Sequence, residues 1–396
     1  MILTCILFYF VFYILQRHFK DIGYPILFTI VFALASYFIF LIEVYFSNIN
    51  YFISDENDYW NLFLDTEYNK LDRFFWVAVN FIERKIDILG FIGVKLINIP
   101  ILIFFLYLLW KIFFRDKRVF YITLFFPYLV YLSTKNLRDI IILFFMVLSI
   151  YYWFKRSKIK RIIAILPLLF LLFLRPFITF LLISLIIYFE FIHDKISIKI
   201  FSIYVSKKLF RNLIITISII LFFLMIPYVE KRIRSYTHNF NHMLVEGHKK
   251  RLIKSGGIDT GYILTDYLVG SVRYCVTPIP TSITARLLKG GDGKHGLLDD
   301  FFRTIQQFFY YFLLFYVLVN LKFIIKKIPK LKRDAKIIIL VLLAHLPIYT
   351  FYAFGMGHQR IKLPFQIGIF LLFIINKNIS LKKMDSGYEA RCVDDN

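Results

Sequence analysis

The chain has 396 residues, 59% of them hydrophobic and 20% aromatic, and carries a formal net charge of +23. Soluble domains hold about 45–50% apolar residues even when glycine is counted, so this composition excludes an ordinary water-soluble fold. The Lys and Arg residues sit in short gaps between apolar runs, the pattern of cytoplasmic loops of a membrane protein and not of a nucleic-acid-binding surface.

A helix needs about 20 residues to cross a 30 Å hydrocarbon core, and apolar runs approaching that length recur along the whole sequence. The predicted spans are 2–15, 24–46, 98–114, 119–134, 140–154, 162–174, 177–192, 213–228, 308–325, 337–353 and 362–376. Together they predict an all-α, polytopic membrane helical bundle of about eleven transmembrane helices, with residues 1–376 as one transmembrane domain and 377–396 as a cytoplasmic tail. The first run lacks a basic flank and a small-residue cleavage site, so no cleavable signal is expected. With the N-terminus outside, segments 16–23, 115–118, 155–161, 193–212, 326–336 and 377–396 face the cytoplasm and hold 25 Lys and Arg. The short outer turns 135–139, 175–176 and 354–361 hold 4, so the positive-inside rule orients the chain N-out and C-in. Trp110, Tyr151, Tyr152 and Trp153 lie near span ends, as in an interfacial aromatic belt.

Two outer segments are long. Segment 47–97 opens with Ser54-Asp55-Glu56-Asn57-Asp58-Tyr59-Trp60. It continues into 71–89, where Leu71, Phe74, Phe75, Ala78, Ile82, Ile86 and Leu89 recur at helical spacing. Asp72, Arg73, Glu83 and Arg84 lie off that stripe, which predicts an amphipathic helix lying in the membrane interface. Segment 229–307 is a large outer loop with twelve Lys and Arg against seven acidic residues. Within it, residues 262–280 are semi-apolar and end in Pro278-Ile279-Pro280, which suggests a re-entrant or interfacial element.

Charges near the outer ends of membrane helices are costly to place and mark the first candidates for function. Arg138 starts a span, Arg175 occupies the tight Leu174-Arg175-Pro176 turn, and Arg360 follows His358 at the last outer turn. Arg273, Arg286 and Arg303 come from the long loop. Guanidinium groups stay charged and grip phosphate oxygens bidentately, which suits a diphosphate-bearing substrate. Arg175 and Arg360 stand out because short turns between apolar helices offer few acidic partners. Asp55, Glu56 and Asp58 are candidate general bases for a sugar hydroxyl, or alternatively ligands of a divalent cation, with Glu43 a further acid nearby. His238 and His242 stand four residues apart without an HExxH pattern, and His345 in mid-span reads as structural. Cys5, Cys275 and Cys392 are scattered and suggest neither a metal site nor a disulfide framework. The chain has no Walker motif and no dinucleotide fingerprint; no metal and no cofactor are expected.

The stretch Ser133-Thr134-Lys135-Asn136-Leu137-Arg138, followed by an apolar helix, a basic turn and a second helix, resembles the O-antigen and exopolysaccharide polymerases. The Asp55–Tyr59 cluster, the Val276-Thr277-Pro278-Ile279-Pro280 break and the His358-Gln359-Arg360-Ile361-Lys362-Leu363-Pro364 segment are similar to features of the same family. Arg175-Pro176 stands where a His often follows in the exopolysaccharide members. The acidic cluster and the C-terminal segment are also similar to those of C-class membrane glycosyltransferases, which take a sugar from a polyprenyl-phosphate donor.

Resemblance to the polymerases implies transfer of a growing glycan from undecaprenyl diphosphate onto a newly flipped repeat unit, at the outer face of a bacterial cytoplasmic membrane. It also implies a flippase and a chain-length regulator as partners beside the lipid bilayer. The arginines Arg138, Arg175, Arg273, Arg286 and Arg360, with His358, would hold the substrate, and Asp55, Glu56 and Asp58 would catalyse. A flippase or transporter is a further alternative, and it predicts charged residues lining the middle of the bundle.

Overall fold

A computed structural model describes residues 2–47, 51–52, 56, 78–82, 90–113, 115–155, 157–192, 199–200, 203–204, 263–279, 297–353 and 359–377. The described chain is helical apart from one small antiparallel hairpin, β1 (Lys199–Ile200) and β2 (Ile203–Tyr204). In chain order the helices are α1 (Ile2–His18), α2 (Tyr24–Ser47), α3 (Gly90–Leu96), α4 (Asn98–Ile112), α5 (Ile122–Phe125), α6 (Pro127–Leu132), α7 (Asp139–Trp153) and α8 (Lys158–Leu174). They continue with α9 (Pro176–Ile187), α10 (Ile263–Val276), α11 (Leu297–Val319), α12 (Leu321–Lys327), α13 (Arg333–Leu343), α14 (His345–Ala353) and α15 (Gln359–Lys377).

Among the described residues, three stretches are helical, long enough and apolar enough to cross a membrane: Ile2–Phe46, Gly90–Ile112 and Leu297–Val319. Asp139–Trp153 and Phe177–Glu190 are shorter apolar helices. Large apolar side chains stand exposed on α1, α2, α8 and α11, among them Tyr9, Phe12, Phe38, Phe46, Ile162, Leu166, Phe312 and Phe315. Water would penalise such faces, whereas hydrocarbon accepts them, so the surface chemistry is that of a membrane protein.

The span expected at 119–134 breaks at Phe126, ahead of Pro127, and the one expected at 337–353 starts at Arg333 and breaks at Ala344 between α13 and α14. Two further boundaries differ from the sequence expectation for a physical reason. The helix expected at 308–325 begins at Leu297, because α11 is built inside out. Its buried face carries Asp299, Asp300, Thr304, Gln306, Gln307 and Tyr310, while Phe301, Phe308, Phe312, Phe315 and Val319 are exposed. The polar face dilutes the hydropathy of the first turns and hides the helix start from an apolar-run count. Likewise the span expected at 98–114 extends back through α3 to Gly90, which brings Lys95 into a helical stretch of membrane-crossing length. The interfacial helix expected over 71–89 is helical at residues 78–82, and the rest of it lies outside the described residues, as does the span expected at 213–228.

Contacts divide the chain into two compact units. One comprises Met1–Leu182, Pro278–Ala344 and Gln359–Asn396, and the other Ile183–Thr277 and His345–His358. In the first unit α7 packs along α8, where Phe145 and Phe170 stack at 5.4 Å. In the same unit α15 lies against α11 and α13. A Cβ at Gly368 of α15 would meet the Leu342 Cβ of α13 at 3.1 Å, so the glycine sets that close approach. The α8–α9 junction is a sharp break, since Arg175 precedes a proline that opens the next helix. In the second unit α10 packs on α14, with Tyr274 parallel to Tyr349 and His345 stacked on the same Tyr349 ring.

Candidate functional site

The polar residues of the first unit collect around the turn 133–138 between α6 and α7. Apolar sequence on both sides makes helices, and the run Ser133-Thr134-Lys135-Asn136 interrupts them. The Ser133 and Thr134 hydroxyls donate back to the carbonyls of Val130 and Tyr131, which closes the end of α6. Asn98 at the start of α4 then pins the turn, its side-chain amide donating to the Lys135 carbonyl at 2.8 Å and the Leu137 carbonyl at 2.7 Å. Both bonds are buried, so they fix the direction in which the residues of the turn project.

Beneath this turn lies an ion pair. Lys95 Nζ donates to both carboxylate oxygens of Glu56 at 2.8 Å, and the two side chains are 0% and 2% exposed. The ammonium also faces the rings of Phe40 (4.8 Å), Tyr51 (4.9 Å) and Phe52 (5.2 Å). Glu56 accepts the backbone N–H of Asn136, whose side-chain amide donates to Asn80. The carboxylate expected to serve as a general base is thus committed to a neighbouring cation and to a backbone donor. Its geometry is that of a structural tie between residue 56, α3 and the 133–138 turn.

Lys135 points into the same interior. Its Nζ is 3.4 Å from the centre of the Phe40 ring and 4.7 Å from that of Tyr131, with no hydrogen-bond partner among the described residues. Burial, and then the charge of Lys95, pushes the Lys135 amine down to about 7, against the opposing pull of Glu56, Asp299 and Glu43. Glu43 Oε1 meanwhile accepts the backbone N–H groups of Leu297 and Leu298, an acid at the positive end of α11.

Asp139, the first residue of α7, gathers two of the predicted arginines. Arg360 Nε lies 3.3 Å from one oxygen and an Arg175 terminal nitrogen 4.0 Å from the other. The turns themselves offer these arginines few acidic partners, and long-range folding delivers one carboxylate that the local sequence does not reveal. Arg138 is the residue before Asp139 and is half-buried. Arg303 of α11 bonds Asp299 at 2.6 Å and the Tyr128 hydroxyl at 3.1 Å, with its guanidinium over the Tyr128 ring. Farther along α11, Gln306 donates to Gln366 of α15, which donates in turn to Gln307.

The structure thus brings Glu56, Arg175, Arg303 and Arg360 into one unit with Arg138. Arg273 belongs to the last turn of α10, in the second unit. Asp55, Asp58, Arg286 and His358 lie outside the described residues. Sequence reasoning assigned no role to Lys95, Lys135, Asn98, Asp139 or the α11 glutamines. The signal available for Lys135 and Asp139 was the polar run between two apolar helices. Among the described residues no group of three or more His, Cys, Asp or Glu side chains is arranged to hold a metal ion. No protein-family profile, no curated protein sequence and no solved structure matches this chain.

Proposed function

We propose that this protein is a polysaccharide polymerase of a bacterial cytoplasmic membrane, joining undecaprenyl-diphosphate-linked oligosaccharide units at the outer face. The full arrangement in this reading is about eleven transmembrane helices, N-out and C-in. The observation that carries it is the convergence of Arg175 and Arg360, from turns 185 positions apart, on Asp139. A carboxylate between two guanidiniums holds their forks in place, and a diphosphate offers the same planar acceptor pairs with more charge. Such a pair stabilises the negative charge that develops as the diphosphate leaves the anomeric carbon. Arg138 beside them adds a third permanent cation.

The reading as a C-class glycosyltransferase places its weight on Asp55, Glu56 and Asp58. The bidentate engagement of Glu56 by buried Lys95 weakens that reading. The polar inner face of α11 favours transport as the competing reading, since buried polar stripes also line substrate paths.

The test is a gel of lipid-linked surface glycan from a deletion strain, with and without the gene restored. A polymerase leaves single repeat units in the deletion, and the restored gene brings back the ladder. A ladder that persists but shifts by one sugar supports the transferase. An unchanged ladder removes the polymerase reading and points to transport.

A further inference from the structure

The Glu56–Lys95 pair engages one expected base with a cation, and a different buried group stands close by. Three buried polar atoms close to one another have no hydrogen-bond partner among the described residues: Lys135 Nζ, the Tyr131 hydroxyl and Glu43 Oε2. They come from α2, α6 and the turn after α6, elements that pack together. The rings of Phe40 and Tyr131 flank Lys135, and Phe302 lies against Tyr131 at 5.2 Å. Buried donors and acceptors left open in this way are costly unless a ligand satisfies them. Their mixture is the complement of a polyhydroxylated ring. Each sugar hydroxyl both donates and accepts, and the C–H faces of the ring suit aromatic surfaces.

We propose that Lys135, Tyr131 and Glu43 form the acceptor-sugar subsite, and that the Lys135 amine takes the proton of the attacking hydroxyl. This rests on the polymerase reading and assigns it a base. The acceptor O–H bond breaks as an N–H bond forms at Nζ, and the freed oxygen bonds to the anomeric carbon of the diphosphate-linked chain. The anomeric C–O bond to the diphosphate breaks, and its electron pair leaves on the diphosphate.

A base needs its neutral form populated near working pH. The groups that set the charge of Lys135 are Lys95, which disfavours the ammonium, and Glu56, Asp299 and Glu43, which favour it. The Phe40 face also favours the ammonium, and burial opposes it. The balance holds the amine at about 7, so roughly half is neutral at that pH. Arg175 and Arg360 stay permanently charged and serve the donor diphosphate, whereas Lys135 exchanges its proton in each cycle.

The test compares Lys135→Arg and Lys135→Met in the deletion strain, with membrane abundance measured by immunoblot. Arginine keeps the charge and cannot act as a base. Both variants are expected to slow chain extension by about 100-fold or more at wild-type abundance, leaving single repeat units. A full ladder from either variant overturns the proposal, since charge or bulk would then suffice. If neither variant accumulates, competitive acetylation of the wild-type protein in its membranes decides, with Lys135 followed by mass spectrometry. Half-maximal reactivity near pH 7 supports the assignment. Reactivity that rises only near pH 10, or none at any pH, overturns it. An unchanged ladder in the deletion itself ends the polymerase reading, and this assignment with it.

Discussion

Replacing Glu56 by glutamine separates a structural carboxylate from a catalytic one. The substitution keeps shape and an oxygen acceptor for the Asn136 N–H, but it strips the counter-charge from Lys95, which is 0% exposed. Breaking a buried ion pair from one side costs about 3–5 kcal/mol, because the remaining charge stays desolvated. Here three aromatic rings within 5.2 Å continue to favour the ammonium, each by about 0.5–2 kcal/mol, so the expected loss lies near the low end, about 3 kcal/mol. Denaturant unfolding of the detergent-solubilised protein measures it. The double variant Glu56→Gln/Lys95→Met is expected to regain most of the loss, because removing both charges removes the desolvation cost as well. A Glu56→Gln protein within about 0.5 kcal/mol of wild type refutes the reasoning, since that is the size of an ordinary surface effect. Normal stability combined with a lost glycan ladder would restore Glu56 as a catalytic base.

Four other outcomes follow from the same residues. Because the Lys135 amine is held down to about 7, the folded chain binds fewer protons than the unfolded chain between about pH 7 and its ordinary lysine value of 10.5. Stability therefore rises with pH across that window by at most about 1.4 kcal/mol per unit from this group, and Lys135→Met should flatten the rise in a pH series of unfolding curves. Asn98→Leu leaves the buried carbonyls of Lys135 and Leu137 without their donor, an expected cost of about 3 kcal/mol in the same unfolding assay. Asp139→Asn breaks two partly exposed pairs and is expected to cost under about 1 kcal/mol, whereas on the polymerase reading Arg175→Ala and Arg360→Ala are each expected to shorten the glycan ladder on the gel.

The sequence exposes what depends on local pattern and conceals what depends on distant contact. Apolar runs located α1, α2, α7, α8, α9 and α15 within a few residues, because long continuous apolar runs mark these helices whether their faces are exposed or buried. The start of α11 escaped, since Asp299, Asp300, Arg303 and Gln306 read as loop until one knows that they face inward. Lys95 escaped for the related reason that an isolated cation ahead of an apolar run looks like a loop residue. Its carboxylate lies 39 positions earlier, and no periodicity links the two. The outer arginines were legible as residue types in apolar turns, but their shared partner was not. Asp139 looks like an ordinary helix-opening acid until Arg175 and Arg360 are folded onto it.

That shared partner bears on how a substrate would be admitted. Among the described residues of this unit, the cations Lys95, Arg138, Arg175, Arg303 and Arg360 have the carboxylates Glu43, Glu56, Asp139, Asp299 and Asp300 in equal number, with Lys135 and Lys362 as further buried basic residues. On the polymerase reading, a diphosphate would gain by taking over arginines already aimed at a carboxylate, and in doing so would release Asp139. The contacts of Asp139 with Arg175 and Arg360 are partly exposed and long, which are the properties of a pair that yields. The Glu56–Lys95 pair is buried and bidentate, which are the properties of one that holds. In the proposed reaction, the exchangeable carboxylate would mark where the leaving group departs. The fixed one sits beneath the turn that carries Lys135, keeping that amine in place through the exchange.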